Sequence, residues 1–572
     1  MQRRTSLAAA LAVSTAWALA ACGIPSGKAP EIVGDAPSDF DQSTGTEVEP
    51  FAPTTEPDST VQNYLKSAAG DPDGLPDRLY AFTTDDRVFS DAASGIDLLS
   101  RVEVTTVTNT VEAATVRVTG SVIGRYLPDG SVRMSAAPRQ YEEEFALDRE
   151  GFQDVWSITS LPTQVILDYG HFDATYDPAP LYFQATQEEL LVPDLRWAYN
   201  DLSADADRRL RLGWLLQGPS DFARFSARNA IPEGTIGKPS TGEGGEVHIE
   251  LSPGETVEPD TVDAIAAQIA WSLGLESDFV LTVDGQDVFE GSLSDWRTWN
   301  AIPDDVPETG YFIAEETVWE YTSSRPVTTV SAEHPWVGFH VDGLRQVAVG
   351  PGSQIAAIVQ GPDGFVLQVG TDEESMRTID GLSADLASPQ WLADGTVLVI
   401  DAGVPTAVDP ISRSKQVLQV GEGVTSMAIS ADGLRLAFVA DGSAWVAPLS
   451  VDLDGNIQAG EPRLIGPQIT AVTAVAWSSE NYLWVAGVSG DDRLFRVALD
   501  NSHIEPQTGT AGLVFAQIAA SPADPESPTN NRGEPVLVVA NSSLYRVHTT
   551  LQVVENDSQA VAATAPFTVL NS

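Results

Sequence analysis

The chain has 572 residues, 42 % of them apolar, with 81 acidic side chains against 31 Lys and Arg and a net charge of −50. That length leaves room for several domains, and the apolar share lets most of it bury a core. So negative a field repels phosphate backbones and anionic headgroups, which argues against nucleic acid as a partner and against charge-driven binding to acidic lipid.

Arg3 and Arg4 precede an apolar run from Leu7 to Ala20, and the sequence Leu19-Ala20-Ala21-Cys22-Gly23 closes it. The run is about 14 residues, shorter than the roughly 20 that span a bilayer, so it predicts a cleaved export signal over 1–21. Leu19, Ala20 and Ala21 supply the small-residue approach that a signal peptidase recognises. Cys22, the one cysteine of the chain, supplies the thiol that takes a diacylglyceryl group, and cleavage frees its amine for N-acylation. One acyl chain holds marginally, whereas two or three, palmitate among them, anchor stably. The expectation is a lipoprotein on the extracytoplasmic face of the cell membrane.

Residues 22–57 are rich in Pro, Ser, Thr, Gly and acids without a hydrophobic period, the composition of a disordered tether. From 58 to 187 the signals are α+β. Val61, Tyr64, Leu65 and Ala68 form one face of a short helix, with Asp58 or Ser59 as its cap. Strand-like runs follow at Val102–Val104, Val111, Ala114–Val118, Val122-Ile123, Val132–Met134, Phe145–Leu147 and Val155–Ile158, with Asp129-Gly130 as a hairpin turn. A helix followed by a curved sheet resembles the cystatin or NTF2-like class.

A second α+β unit is expected over 188–310. The helix Arg209–Leu216 stops at Gly218-Pro219, Ile231-Pro232-Glu233-Gly234-Thr235 follows, and Val247–Leu251 reads as a strand. After Pro259 comes a helix with Val262, Ile265, Ala266, Ile269, Ala270 and Leu273 on one stripe and Gly274 just past its end. The strand Phe279–Val283 then turns at Asp284-Gly285 into Val288-Phe289. The order of these segments resembles the GerMN domain of spore-germination proteins, a family regarded as an envelope binding module.

Over 311–572 a strand motif recurs at Val347–Val349, Pro389–Trp391, Met427–Ile429, Val475–Trp477, Ile518–Ala520 and Val561–Ala563, at intervals of 38 to 48 residues. Four short strands in such a period make a β-propeller blade. The last repeat runs out at the C-terminus. Segments around Tyr311–Ile313, Val318–Tyr321 and Val327–Val330 are expected to supply its missing strands and close the ring. About six blades are predicted, with five or seven open.

Catalytic motifs are scarce. The six histidines, His171, His248, His334, His340, His503 and His548, share no metal-ligand spacing, and no nucleophile elbow, phosphate loop or dinucleotide fingerprint occurs. Asp452-Leu453-Asp454-Gly455-Asn456 starts like a calcium loop, but Arg463 stands where its closing glutamate belongs, so a hairpin turn is the better reading. No catalytic residue, metal or cofactor is expected.

Signal, lipobox, tether, α+β domain, GerMN-like domain and propeller, in that order, resemble the LpqB lipoproteins of actinobacteria across nearly the whole chain. The resemblance implies a non-enzymatic accessory of a two-component sensor histidine kinase that governs cell-wall and division functions, bound through the sensor's extracellular domain, with peptidoglycan as a further partner. The alternatives are an envelope-glycan binder and an exported hydrolase working at the propeller mouth.

Overall fold

The computed structural model describes residues 51–570 apart from short stretches, the longest being 84–94 and 527–534. Leu19, Ala20, Ala21 and Cys22 lie outside the described residues, as does the tether up to residue 50. Residues 51–56, assigned above to the tether, instead pack on the first domain. Phe51 sits edge-on to His171 at 5.3 Å, and the Trp156 backbone N–H and indole N–H donate to the carbonyls of Thr54 and Thr55.

Helix α1 (Pro57–Ser67) begins on a proline rather than at an Asp58 or Ser59 cap, because the fixed φ of proline suits the first helical position, where no N–H is needed. Its face of Val61, Tyr64, Leu65 and Ala68 is buried, with the Tyr64 ring edge-on to Phe82 and Phe145. A short helix α2 (Leu75–Tyr80) follows. Strands β1 (Ile96–Asn109), β2 (Ala113–Tyr126), β3 (Val132–Asp148), β4 (Ser157–Ile158) and β5 (Ile166–Asp168) form one sheet in the order β4-β3-β2-β1-β5, with β5 parallel to β1. Val111 is not in a strand. The ladder passes from Asn109 to Ala114, and Val111 stands exposed in the turn between them. Helix α3 (Tyr169–Thr175) ends the domain, its first amides held by the Asp168 carboxylate.

Past Thr175 the chain runs into a hairpin whose two strands lie on either side of the boundary expected between 187 and 188. Strand β6 (Tyr176–Pro178) leads into that hairpin of β7 (Leu181–Ala185) and β8 (Leu191–Asp194), and β9 (Trp197–Tyr199) returns to pair with β6. Helix α4 (Ala204–Gln217) is capped by Ser203 and stops at Gly218. Strand β10 (Ala227–Arg228) adds to β7, and β11 (Ile236–Thr241) to β12 (Val247–Ser252). Helix α5 (Val262–Leu273) crosses to β13 (Phe279–Val283), parallel to β12, and β14 (Gln286–Gly291) completes a four-stranded sheet. Gly274 takes the left-handed conformation at the end of α5.

The expected single stripe on α5 is too narrow. Residues 264–273 are buried on every side, because β7 lies against the face that would otherwise meet water. Its two buried polar side chains satisfy that strand: Tyr182 N–H donates to Ser272 Oγ at 2.9 Å and Gln184 N–H to Gln268 Oε1 at 3.0 Å.

Six antiparallel sheets of four or five strands follow among the described residues, here A to F. Sheet A joins Gly310–Ala314, Thr317–Tyr321 and Pro326–Val327 to Thr564–Phe567 from the C-terminus. Sheets B to F take residues 344–378, 386–417, 424–465, 470–506 and 515–553 in turn. The first strands of B to F are Leu344–Gly350, Leu386–Trp391, Val424–Ile429, Thr470–Ser479 and Phe515–Ala520. Each lies beside the next, and Thr564–Phe567 touches both the last and the first, so the strands close a ring. Its seam is the pairing of Tyr311 with Phe567 and Ile313 with Thr564, backed by stacked Tyr311 and Phe567 rings 5.2 Å apart. Val561–Ala563, the sixth repeat motif, precedes this strand. Val561 is held at the edge of sheet F, donating to Val554 and accepting from Leu544.

Candidate functional site

The inner strands enclose a channel of about 320 Å³. Alanine, valine and proline dominate its wall, and among the described residues no carboxylate, imidazole, thiol or cationic side chain lines it. Its polar groups clasp neighbouring sheets instead. Gln346 Oε1 accepts from Ser388 N–H at 2.5 Å and Gln517 Oε1 from Ala565 N–H at 2.7 Å. Two tryptophans of the repeat motif, Trp391 and Trp477, donate their indole N–H groups to Ala348 and Ala428 of the preceding sheet. Glycoside hydrolysis needs two carboxylates about 5 to 10 Å apart, and this wall presents no such pair.

Titratable groups gather instead where the first two domains sit on one face of the ring. Turns of sheets D, E and F meet them there. The Tyr182 hydroxyl donates to Glu480 Oε2 and Asn300 Nδ2 to Oε1, each at 2.7 Å. Arg435 donates to the Glu480 carbonyl and pairs with Asp432, its guanidinium 5.1 Å from the Trp477 ring. Trp197 Nε1 donates to Asp500 Oδ2 at 2.8 Å, and the other Asp500 oxygen accepts from Ser502. Burial pushes both the Glu480 and Asp500 carboxyls above their ordinary range. At the edge of this face Asp173 accepts from His503 at 2.9 Å, which holds the aspartate below its usual pKa. Arg297, over the Trp271 ring, pairs with Asp524 and Glu526 of sheet F.

The first two domains are locked to each other as well. Gly130, at φ +79°, lets the hairpin expected at Asp129-Gly130 lie on Trp214, where a Cβ would come within 2.7 Å of the indole. Trp214 Nε1 donates to the Pro128 carbonyl, and the Tyr126 hydroxyl to that of Trp197. Buried polar bonds of this kind cost dearly when half broken.

Glu480 and Asp500 therefore have opposite sensitivities to amide substitution. The Tyr182 hydroxyl can donate or accept, so Glu480→Gln keeps both partners and should cost under about 1 kcal/mol, whereas Asp500→Asn turns an N–H towards an indole that only donates and should cost about 1–3 kcal/mol. A carboxyl raised by folding binds its proton more tightly in the native state. Its contribution to stability is therefore greatest at low pH and falls as pH rises from the unfolded value towards the folded one. Thermal unfolding between pH 5 and 8 should show a smaller loss in Glu480→Gln than in the unaltered protein. Equal slopes would place the effect elsewhere.

Of the sequence candidates, the histidines are dispersed. His334 contacts Glu320, His248 contacts Glu246 and His340 contacts Thr317, and no group of three metal-type ligands occurs among the described residues. Asp452 and Asn456 close a turn, the Asp452 carboxylate accepting from the Asn456 N–H, while residues 453 and 454 lie outside the described set. No helix among the described residues is long and apolar enough to cross a membrane.

Three family models match in the order of the three domains: the N-terminal domain of lipoprotein LpqB over 50–173, the sporulation and spore germination domain over 180–289, and the LpqB β-propeller domain over 327–532. Along most of its length the chain is similar to the LpqB lipoproteins. Curated relatives named lipoprotein LpqB include those of Rhodococcus opacus, 24 % identical with 88 % of each chain covered, and Mycobacterium tuberculosis, 25 % identical with 88 % of this chain and 90 % of the relative covered. Among solved structures, virginiamycin B lyase from Staphylococcus aureus is 9 % identical over 45 % of this chain and 87 % of its own, at a TM-score of 0.30, a likeness too slight to bear on chemistry.

Proposed function

We propose that this chain is an LpqB family member and a lipid-anchored, non-enzymatic accessory of a membrane sensor histidine kinase, working on the extracytoplasmic face. Its first domain is read as cystatin- or NTF2-like and its six sheets as the blades of one propeller. Leu19-Ala20-Ala21 would guide signal cleavage and Cys22 would carry the lipid. The observation that carries the reading is the match to LpqB lipoproteins along most of the chain, on a sequence that opens with a lipobox. A channel wall without carboxylates favours binding over hydrolysis.

Three domains joined by buried polar bonds present one body to a partner. Tethering that body to the membrane raises its effective concentration at a membrane-held sensor. Binding one conformation of the sensor more tightly than the other then shifts the kinase equilibrium, with no bond made or broken. The test is the autophosphorylation rate of the sensor in a bilayer, with and without the anchored protein. A changed rate supports the reading, and an unchanged one removes it.

A further inference from the structure

A cavity of about 610 Å³ opens where all three domains meet, between the β3 hairpin, the segments around Pro193–Arg196 and Pro219–Arg224, and the turns of sheets D and E. That is the size of a site for a small organic molecule. Five arginines line it in a chain with only 31 basic residues, so cations are concentrated here against the overall charge.

Each carboxylate on the wall is already engaged. Asp194 takes Arg196 Nη1 at 2.9 Å and two donors from Ser220, Asp500 takes Trp197 and Ser502, Asp129 takes Ser131, and Asp221 pairs with Arg133 and Arg224. Two arginines keep donors to spare. Arg196 is 1 % exposed, yet its Nε and Nη2 meet no acceptor among the described residues. Arg463 lies 4.4 Å over the Phe222 ring and donates only weakly, at 3.4 Å, to the Leu499 carbonyl, with no carboxylate within ion-pairing distance among the described residues. The idle Arg196 N–H groups have no surface open to the cavity, so Arg463 is the one of the pair that a molecule there could reach.

We propose that this three-domain cavity binds a small organic oxyanion, a carboxylate or a phosphate, held by Arg463 with the buried charge of Arg196 behind the wall and its apolar part against Phe222. Guanidinium groups suit both anions because their paired N–H donors match two oxygens at once. The site is independent of the kinase reading. Since each domain supplies part of the wall, occupancy would also tighten their association.

Calorimetry on the purified full-length chain tests this, with inorganic phosphate and glucuronate as probes and glucose as the uncharged control. At least one oxyanion should bind saturably and glucose should not; preference for phosphate or for glucuronate tells which oxyanion the site takes. Arg463→Met keeps the stem over Phe222, removes the charge, and should weaken binding about tenfold or more. Exposed Arg413→Met, on sheet C, should leave it unchanged. Thermal unfolding of each variant identifies any that fails to fold, and Arg463→Lys then takes the place of Arg463→Met with the same expected weakening. Failure of both anions to bind, or equal binding after the Arg463 substitution, overturns the proposal.

Discussion

Removing residues 564–572 should open the ring and abolish cooperative unfolding of the propeller. The lost segment holds the inner strand of sheet A, with its pairing to Tyr311 and Ile313, the Ala565 N–H bond to Gln517 and the Thr568 hydroxyl bond to the Ala520 carbonyl. It also strips buried Ala565 and Val569 and the stacked Phe567 from the core around Tyr311 and Trp336. Comparable core deletions cost about 3–5 kcal/mol, a drop of about 10 °C or more in a domain of this size. The freed edge of sheet A at Gly310–Ala314 would also invite pairing between molecules. With a single cysteine in the chain, no disulfide can hold the seam in place of these contacts. Thermal unfolding and limited proteolysis would read the effect. A truncated protein with an unaltered transition and equal protease resistance would show that the seam is not what holds the ring.

Cys22→Ser should move the protein from the membrane fraction to the medium, or leave it unprocessed. Each buried methylene of an acyl chain contributes about 0.8 kcal/mol, so losing every chain removes the whole of the anchoring energy. No helix among the described residues could replace it, and the net charge of −50 repels an anionic bilayer. The folded part should be unaffected, since the described domains begin after residue 50. Fractionation followed by mass measurement of the amino end distinguishes the outcomes. A processed, membrane-retained serine variant would contradict lipid anchoring.

Much of the ring could be read from the sequence because an inner strand packed on both faces repeats small apolar residues at a fixed period. Val347–Val349, Met427–Ile429 and Val475–Trp477 all fall within such strands. The pattern misled at Val561–Ala563, where the same residue types bury against sheet F without joining the inner ring. Val111 misled for the opposite reason: a lone β-branched residue in a turn has no neighbours to give it a period. Local patterning also left the all-round burial of α5 out of reach, since β7 reaches it from some 80 to 90 residues away.

The polar face lay further beyond sequence reasoning. Glu480 stands in a segment legible as a turn, but its partners Tyr182 and Asn300 are 298 and 180 positions away, and Asp500 meets Trp197 across 303. Nothing local distinguishes these acids from the dozens that face solvent. The spare donors of Arg196 and Arg463 emerge only once three domains close around them.

The most direct measurement is kinase flux. The sensor of the same organism, reconstituted in bilayer discs with this protein anchored through Cys22, should autophosphorylate at a rate changed by about fivefold or more, as a coupling free energy of 1–3 kcal/mol implies. An identical rate at saturating protein, in a preparation where the two demonstrably share a disc, would contradict the account.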